Sequence, residues 1–450
     1  MAIYDIHNGD TISAISTPAG SGATFVLRIS GGKSLQIAKK LTSNKTFTPN
    51  KAFVLPIKDG RDILDRAVIT YFKNPKSFTG EDVVEFSCHG SSYIKRRLLE
   101  LALELGARPA KEGEFSMRAF LNGKMDLAQV QGLADLIASS NKAGHKAGMN
   151  LMEGKISDKF VEIKNALKDT LAEIEARIDD IDEEMPLIDT KVHKKSLTKT
   201  ISTIQKLTDS FSTGKYIKEG IKTAIVGSPN SGKSSLLNAL MGFDRAIVSE
   251  VSGTTRDTIE EIINVDGYNL ILTDTAGIRK HALDPAEKEG IKRSNRAIAK
   301  SDLVLFVQDA SKPVSRAVKP FLQDILKSGK NVIVVLNKAD LTTKNNLKGI
   351  KISCKNGKGI KVLKNKILQT VIKKPVGGDV IITSARHYES LLKAREELYA
   401  AEELLGGRII RLELFAEHIR GALSHLAEIV GEVVSDDILD IIFSKFCVGK

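Results

Sequence analysis

Gly227-Ser-Pro-Asn-Ser-Gly-Lys-Ser234 fits the spacing GxxxxGK[ST] and lies between a β-type run and a helical one. Glycines in such a loop let backbone N–H groups converge on phosphate oxygens, and the following helix N-terminus adds partial positive charge. Asn230, Ser231, Gly232, Lys233, Ser234 and Ser235 are therefore candidate nucleotide contacts. Lys233 is expected to bridge the terminal phosphates, and Ser234 to ligate Mg²⁺. In Gly253-Thr254-Thr255-Arg-Asp257, the Thr255 hydroxyl can complete the Mg²⁺ shell when the terminal phosphate is present. Asp274-Thr275-Ala276-Gly277 follows at a strand end, with the aspartate suited to the outer Mg²⁺ sphere and the Gly277 N–H to the γ-phosphate.

Asn337-Lys338-Ala-Asp340 selects the base. Two N–H donors on the guanine edge suit the Asp340 carboxylate, whereas adenine offers an acceptor and a C–H there. Ser353-Cys354-Lys355 supplies a backbone N–H for the guanine carbonyl. Five elements in this order, each after a strand, imply GTP as the ligand.

Hydrolysis is less conventional. Where many GTPases place a water-orienting glutamine, this chain has Ile278. Either the domain is a slow binary switch, or another group acts. Glu287 is the candidate catalytic residue; it is equally an ordinary glutamate in a charged helix. Asn230 either holds a monovalent cation beside the phosphates, in place of an arginine finger, or simply forms a turn.

The elements that must position these groups read as three kinds. To about residue 120 short β-type runs (Thr24–Ile29, Ala67–Phe72, Val83–Cys88) precede a helix over Ser92–Leu105, an α+β pattern. Helical seams follow, at Phe160, Ile163, Leu167, Leu171, Ile174 and Ile178, and again at Leu412, Phe415, Ile419, Leu423, Leu426 and Val430. Between them strands and helices alternate, with buried runs at Thr223–Val226, Asn269–Thr273, Leu303–Val307 and Val332–Leu336. The expected fold is thus multidomain: an α+β N-terminal domain (1–120), a discontinuous all-α domain (121–216 and 379–450), and an inserted α/β Ras-like P-loop domain (217–378).

Composition bounds the rest. The chain carries +12 net charge, and eleven lysines against one acid, Asp340, fall between Lys338 and Lys374. That stretch is either a solvated surface or a face for a polyanion such as RNA. Three dispersed cysteines argue against a disulfide framework and suit a reducing cytoplasm. The N-terminus lacks a signal-peptide pattern, and no apolar run is long enough to span a bilayer.

The flanks carry a more specific signal. Phe78-Thr-Gly-Glu-Asp-Val-Val-Glu-Phe-Ser-Cys-His-Gly90 and Gly113-Glu-Phe-Ser-Met-Arg-Ala-Phe-Leu-Asn-Gly-Lys124 precede the GTPase block; Gly431-Glu-Val-Val and Phe443-Ser-Lys-Phe-Cys-Val-Gly-Lys450 close the chain. In this order of landmarks the chain resembles, over essentially its whole length, the tRNA-uridine-modifying GTPases known as MnmE or TrmE. The resemblance implies a folate-binding N-terminal domain that also dimerises the protein, a split helical domain and an inserted GTPase that pairs in the presence of K⁺. It further implies a hetero-oligomer with an FAD-dependent partner, adding an aminomethyl-type group to C5 of the wobble uridine of certain tRNAs. The one-carbon unit would come from a methylene-tetrahydrofolate.

By the same resemblance Asn230 corresponds to a K⁺ ligand, with Ser249, Val251 and Thr254 lining that site, and Glu287 to a water-organising glutamate. Arg28, Glu85, Lys124 and Lys450 correspond to folate contacts, and Cys447 to a near-terminal thiol of open role; a small buried apolar residue is its other reading. The loop Thr17–Ala23 departs from the family in lacking a second proline and an arginine, and Cys354 replaces an alanine. Gln131 stands where a glutamate is usual. A ribosome-assembly GTPase is the competing reading, though such proteins follow the GTPase with a GxxG-bearing RNA module that this chain lacks.

Overall fold

The fold is seen in a computed structural model, which describes residues 9–20, 22–179, 189–243, 261–272, 295–315, 318–342, 344–372, 380–407, 411–444 and 446–449. The chain divides into two compact units. The first comprises Met1–Ile137, Met149–Lys194 and Glu396–Lys450; the second comprises Ala138–Gly148 and Lys195–Arg395.

The first unit is built on strands β1 (Ile12–Ile15), β2 (Thr24–Ser30), β3 (Ala52–Asp59), β4 (Asp62–Phe72), β5 (Val83–His89) and β6 (Arg108–Pro109). They form one sheet in the order β3-β4-β5-β2-β1-β6, antiparallel except for the β1–β6 pair. Alternation is clear on β2, where Phe25, Leu27 and Ile29 are buried beneath helices α1 (Ser34–Thr42) and α2 (Ser92–Glu104). The other face of β2 and β5 brings Arg28 directly opposite Glu85.

Helices α3 (Glu114–Leu121), α4 (Leu127–Ala138) and α6 (Lys155–Ile178) follow in this unit, with α5 (Lys142–Met152) preceding α6 in the chain. On α6, Phe160, Ile163, Leu167 and Ile174 are buried as their spacing predicts, whereas Leu171 and Ile178 are only half-buried.

In the second unit, α7 (Thr190–Glu219) leads into β7 (Ile221–Gly227), α8 (Lys233–Phe243), β8 (Glu261–Val265), β9 (Tyr268–Leu272) and β10 (Leu303–Asp309). Helix α9 (Val318–Lys327), β11 (Asn331–Asn337), β12 (Ile350–Lys351) and α10 (Ile360–Val371) follow, and α11 (Ala385–Leu404) belongs to it as far as Arg395. The sheet order is β12-β11-β10-β7-β9-β8, parallel throughout except for the β8–β9 hairpin. Every residue of β10 is buried, as the central strand of a sheet covered on both faces requires.

The last helices return to the first unit: α12 (Leu412–Val430) packs on α6, and α13 (Asp436–Phe443) packs near α3. On α12 the buried stripe runs through Phe415, Ala416, Ile419, Ala422, Leu426 and Ile429, so Leu423 sits at its margin. Phe443 and Phe446 pack with Met117, Leu127 and Val130, and Val448 bridges to Glu112. A Cβ on Gly113 would lie 2.5 Å from the Phe443 carbonyl oxygen, and its φ is +66°. Only glycine satisfies both constraints there.

A buried ionic network ties α3 to the sheet. Glu114, 1% exposed, accepts bonds from Arg108 Nη1 (2.8 Å) and Nη2 (2.5 Å), Arg118 Nη2 (3.0 Å) and the Lys111 N–H (2.9 Å). Arg118 also donates to Asp10 and Glu81. Burial opposes ionisation of Glu114, but these donors outweigh it and hold the carboxyl below its ordinary value of 4.5. Asp10 is likewise held below 3.8, burial being outweighed by Arg108 and Arg118.

Both carboxyls have depressed folded values, so their stabilisation is complete above the unfolded values and is lost as pH falls through the folded ones. Glu114→Gln is expected to destabilise the fold by about 1–3 kcal/mol at neutral pH, because an amide sets a donor against guanidinium N–H groups that keep only Asp10 and Glu81 as anionic partners. It is also expected to make the loss of stability below pH 4.5 less steep. Urea unfolding of both proteins across that range checks this; equal stability would refute it.

Candidate functional site

The phosphate loop sits where β7 ends. Gly227 crosses so close to β10 that a Cβ would lie 2.0 Å from the Val307 carbonyl oxygen. Asn230 turns the chain at φ +59°, a left-handed conformation that asparagine tolerates better than most residues.

Ser231 is fully buried, and among the described residues its hydroxyl has no partner. Lys233 opens α8 and folds back over the loop, its Nζ 2.9 Å from the carbonyl oxygens of both Gly227 and Ser228. Burial pushes its pKa below the ordinary lysine value. Ser234 and Ser235 follow in the first turn of the same helix. This backbone cradle, with a cation anchored at its rim and no room for a Cβ at Gly227, fits a polyphosphate.

The segments expected to meet the base follow β11 and β12, which lie beyond β10 in the sheet. Asn337 ends β11 and is 2% exposed. Its Nδ2 donates to the Ser231 carbonyl (3.1 Å), and its Oδ1 accepts the Cys354 N–H (3.3 Å). One side chain therefore joins the phosphate loop to the segment after β12. Gly232 belongs to the same junction: a Cβ there would lie 2.1 Å from Asn337 Nδ2.

Lys338, at φ +63°, donates to the Asn230 carbonyl (3.0 Å) and to Asp309 Oδ2 (2.7 Å). Asp340 is exposed. The adjacent Ser353 side chain, then its own backbone N–H, and then the charge of Lys355 hold its carboxyl below the ordinary aspartate value. It presents an ionised acceptor at neutral pH. Cys354 is half-buried, and burial together with the Asp340 charge raises its thiol to about 11. It enters the junction through its backbone alone.

Asp309 is the residue that sequence reasoning missed. It ends β10, is 4% exposed, and anchors both Lys338 and Ser311. Burial raises its pKa, but the bonds from Lys338 and Ser311 bring it below the ordinary value. An acid closing an otherwise apolar strand was the available signal.

Glu287, Ser249, Val251, Gly253, Thr254, Thr255, Asp274, Thr275, Ala276, Gly277 and Lys450 lie outside the described residues.

In the first unit Arg28 donates to Glu85 Oε1 through Nε at 2.8 Å. Its guanidinium carbon stands 5.5 Å from the Phe78 ring centre and 5.6 Å from that of Phe115. Its Nη1 is 3.5 Å from the Gly449 carbonyl oxygen, which brings the chain's last turn to this pair. Aromatic faces beside a paired cation and carboxylate suit a flat, polar ring system. Lys124 bonds elsewhere, to the Pro75 carbonyl at 3.0 Å. Cys447 is exposed, which overturns its reading as a small buried apolar residue. Cys88, by contrast, is buried, and desolvation followed by the Asp65 charge raises its thiol to about 12.

Comparison with known proteins decides the family. The model for the GTP-binding protein TrmE N-terminus matches residues 11–124, and that for the MnmE helical domain matches residues 127–447. A tRNA modification GTPase MnmE from Cytophaga hutchinsonii is 41% identical over 98% of this chain and 98% of its own length. The proteins of that name from Akkermansia muciniphila (41%, over 98% of this chain and 99% of theirs) and Flavobacterium psychrophilum (39%, 98% and 99%) align comparably. The chain belongs to the MnmE family. The helical-domain match runs across the α/β segment, so the family's fold class is multidomain, with the GTPase inserted in helix-forming sequence. Among the described residues, no helix is long and apolar enough to cross a membrane.

Asp340→Asn replaces an acceptor-only group with an amide that presents a donor to the base. GTP affinity is expected to fall by roughly 10²-fold or more, and the preference over ATP, about 10⁴ for sites of this kind, to relax. Fluorescent-nucleotide titrations test this; unchanged GTP affinity refutes the role.

Proposed function

We propose that this protein is a K⁺-stimulated GTPase of tRNA modification. Its GTP-binding set comprises the phosphate loop, Asn337, Lys338, Asp340 and the Ser353–Lys355 segment, with Ser249, Val251, Gly253, Thr254, Thr255 and Asp274–Gly277 completing it. The observation that supports this reading is the Asn337 junction, whose two hydrogen bonds join the phosphate loop to the segment after β12, in a chain 41% identical to a tRNA modification GTPase over 98% of its length. The sequence partition 1–120, 121–216, 217–378 and 379–450 is the domain division we adopt.

Within the site, Lys233 holds the terminal phosphates, and Ser234 and Thr255 hold Mg²⁺. Asn230, Ser249, Val251 and Thr254 hold K⁺, which supplies positive charge where an arginine finger would act. Glu287 orients the attacking water. The Arg28–Glu85 pair, with Lys124 and Lys450, binds a tetrahydrofolate derivative as the one-carbon source. The protein acts as a cytoplasmic homodimer, in a hetero-oligomer with an FAD-dependent partner. The product is a (carboxymethyl)aminomethyl group on C5 of the wobble uridine of certain tRNAs.

Replacing Na⁺ by K⁺ is expected to raise GTP turnover by roughly 10²-fold or more, the low end of what a charge-stabilising group contributes. Glu287→Ala is expected to remove most of that turnover while nucleotide still binds. Equal rates in the two salts would sink the cation role. Mass spectrometry of wobble uridines from cells lacking the protein tests the wider reading: the C5 modification should disappear, and its persistence would reject tRNA as the substrate.

A further inference from the structure

In the second unit, β12 forms the edge of the six-stranded sheet, and α10 follows it after a tight loop. Lys344, Lys348, Lys351, Lys355, Lys358, Lys361 and Lys366 are all exposed along this stretch. None of the seven makes an ion pair with any described residue. Some surface charges elsewhere are paired: Arg97 with Glu100 and Glu104 on α2, Lys159 with Glu162 and Arg177 with Glu173 on α6. Here 341–372 contains no acid, and Asp340, on which the Lys355 charge acts, stands just before it.

The backbone gathers these lysines. A Cβ on Gly359, at φ +81°, would lie 2.3 Å from the Lys351 carbonyl oxygen, so the start of α10 presses directly on β12. The Ser353 N–H donates to the Lys358 carbonyl at 2.9 Å, closing the loop that carries Lys355 and Lys358. Lys361 then falls in the first turn of α10, which carries no acid. That choice opposes the helix dipole, which favours negative charge there. Protection of the sheet edge from strand pairing accounts for Lys351 but not for lysines on the loop and the helix.

We propose that this face binds the phosphate backbone of RNA. Exposed ammonium groups with a single carboxylate, Asp340, at their margin beside Lys355 are complementary to a polyanion, and counterion release supplies the affinity. The face adjoins the base-recognition loop through Lys355, so RNA bound there lies against a segment of the nucleotide site. The proposal rests on the tRNA-modification reading for the identity of the RNA, namely tRNA.

The test compares the full-length chain with its Lys348→Gln/Lys351→Gln/Lys358→Gln/Lys361→Gln variant, which leaves the proposed GTP-binding residues intact. Unmodified tRNA transcript is the probe, titrated from low to physiological salt. The variant should lose roughly tenfold or more in affinity, and its log K against log salt plot should be shallower by about 3, with basal GTP turnover unchanged. Equal affinity and slope would overturn the proposal. So would loss of binding to phosphatidylserine vesicles with tRNA binding intact, which would make the face a membrane contact. Unchanged tRNA binding by the variant, with the wobble modification lost in deletion cells, would sink only this surface. Lost binding by the variant with no modification defect in deletion cells would sink the wobble reading and leave the surface as an RNA contact.

Discussion

The nucleotide site depends on what Asn337 does with its amide. One end donates to the phosphate loop at Ser231 and the other accepts from the base loop at Cys354. The first bond is buried and the second partly so, and a partner lost away from water costs more than one lost at the surface. Gly232 leaves the space Asn337 occupies, and Asp309 fixes the neighbouring Lys338. The spacing between the phosphate loop and the segment after β12 is therefore set by protein–protein bonds.

In the first unit the family's sequence landmarks divide between scaffold and chemistry. Glu114 and Arg118 belong to the Gly113–Lys124 segment, yet they lie inside a buried ionic network and reach no surface ligand. Glu85 and Phe78 come from the Phe78–Gly90 segment and stand beside Arg28 on the opposite face of the sheet from the apolar core. The C-terminal segment serves both roles: Phe443 and Phe446 fill the core around Met117, while Gly449 reaches Arg28 and Cys447 faces solvent. A run of family-specific residues is thus partly a record of packing.

Much of the architecture was legible beforehand. The strands at Thr24–Ser30, Val83–His89, Ile221–Gly227 and Leu303–Asp309 cover the apolar runs that predicted them, and α2 ends at Glu104 beside the expected stop, Gly106. β8 was not anticipated, because Glu261–Val265 is a short edge strand with a mixed burial pattern. The α12 stripe was displaced toward Ala422 and Ile429, since small residues bury at close helix contacts without contributing to a pattern of large ones. Asp309 went unread as well, because a lone acid at a strand end resembles a turn residue.

By itself the sequence determined the order of nucleotide motifs, their placement at strand ends, the helical seams and the family. Those properties are carried by local spacing, which the periods of strand and helix make readable along the chain. Only the tertiary structure decided that Asn337 meets Ser231 across 106 residues, that Arg28 faces Glu85 across 57, and that Cys447 is exposed. These facts depend on strand register and side-chain packing between distant segments, and no local pattern encodes them.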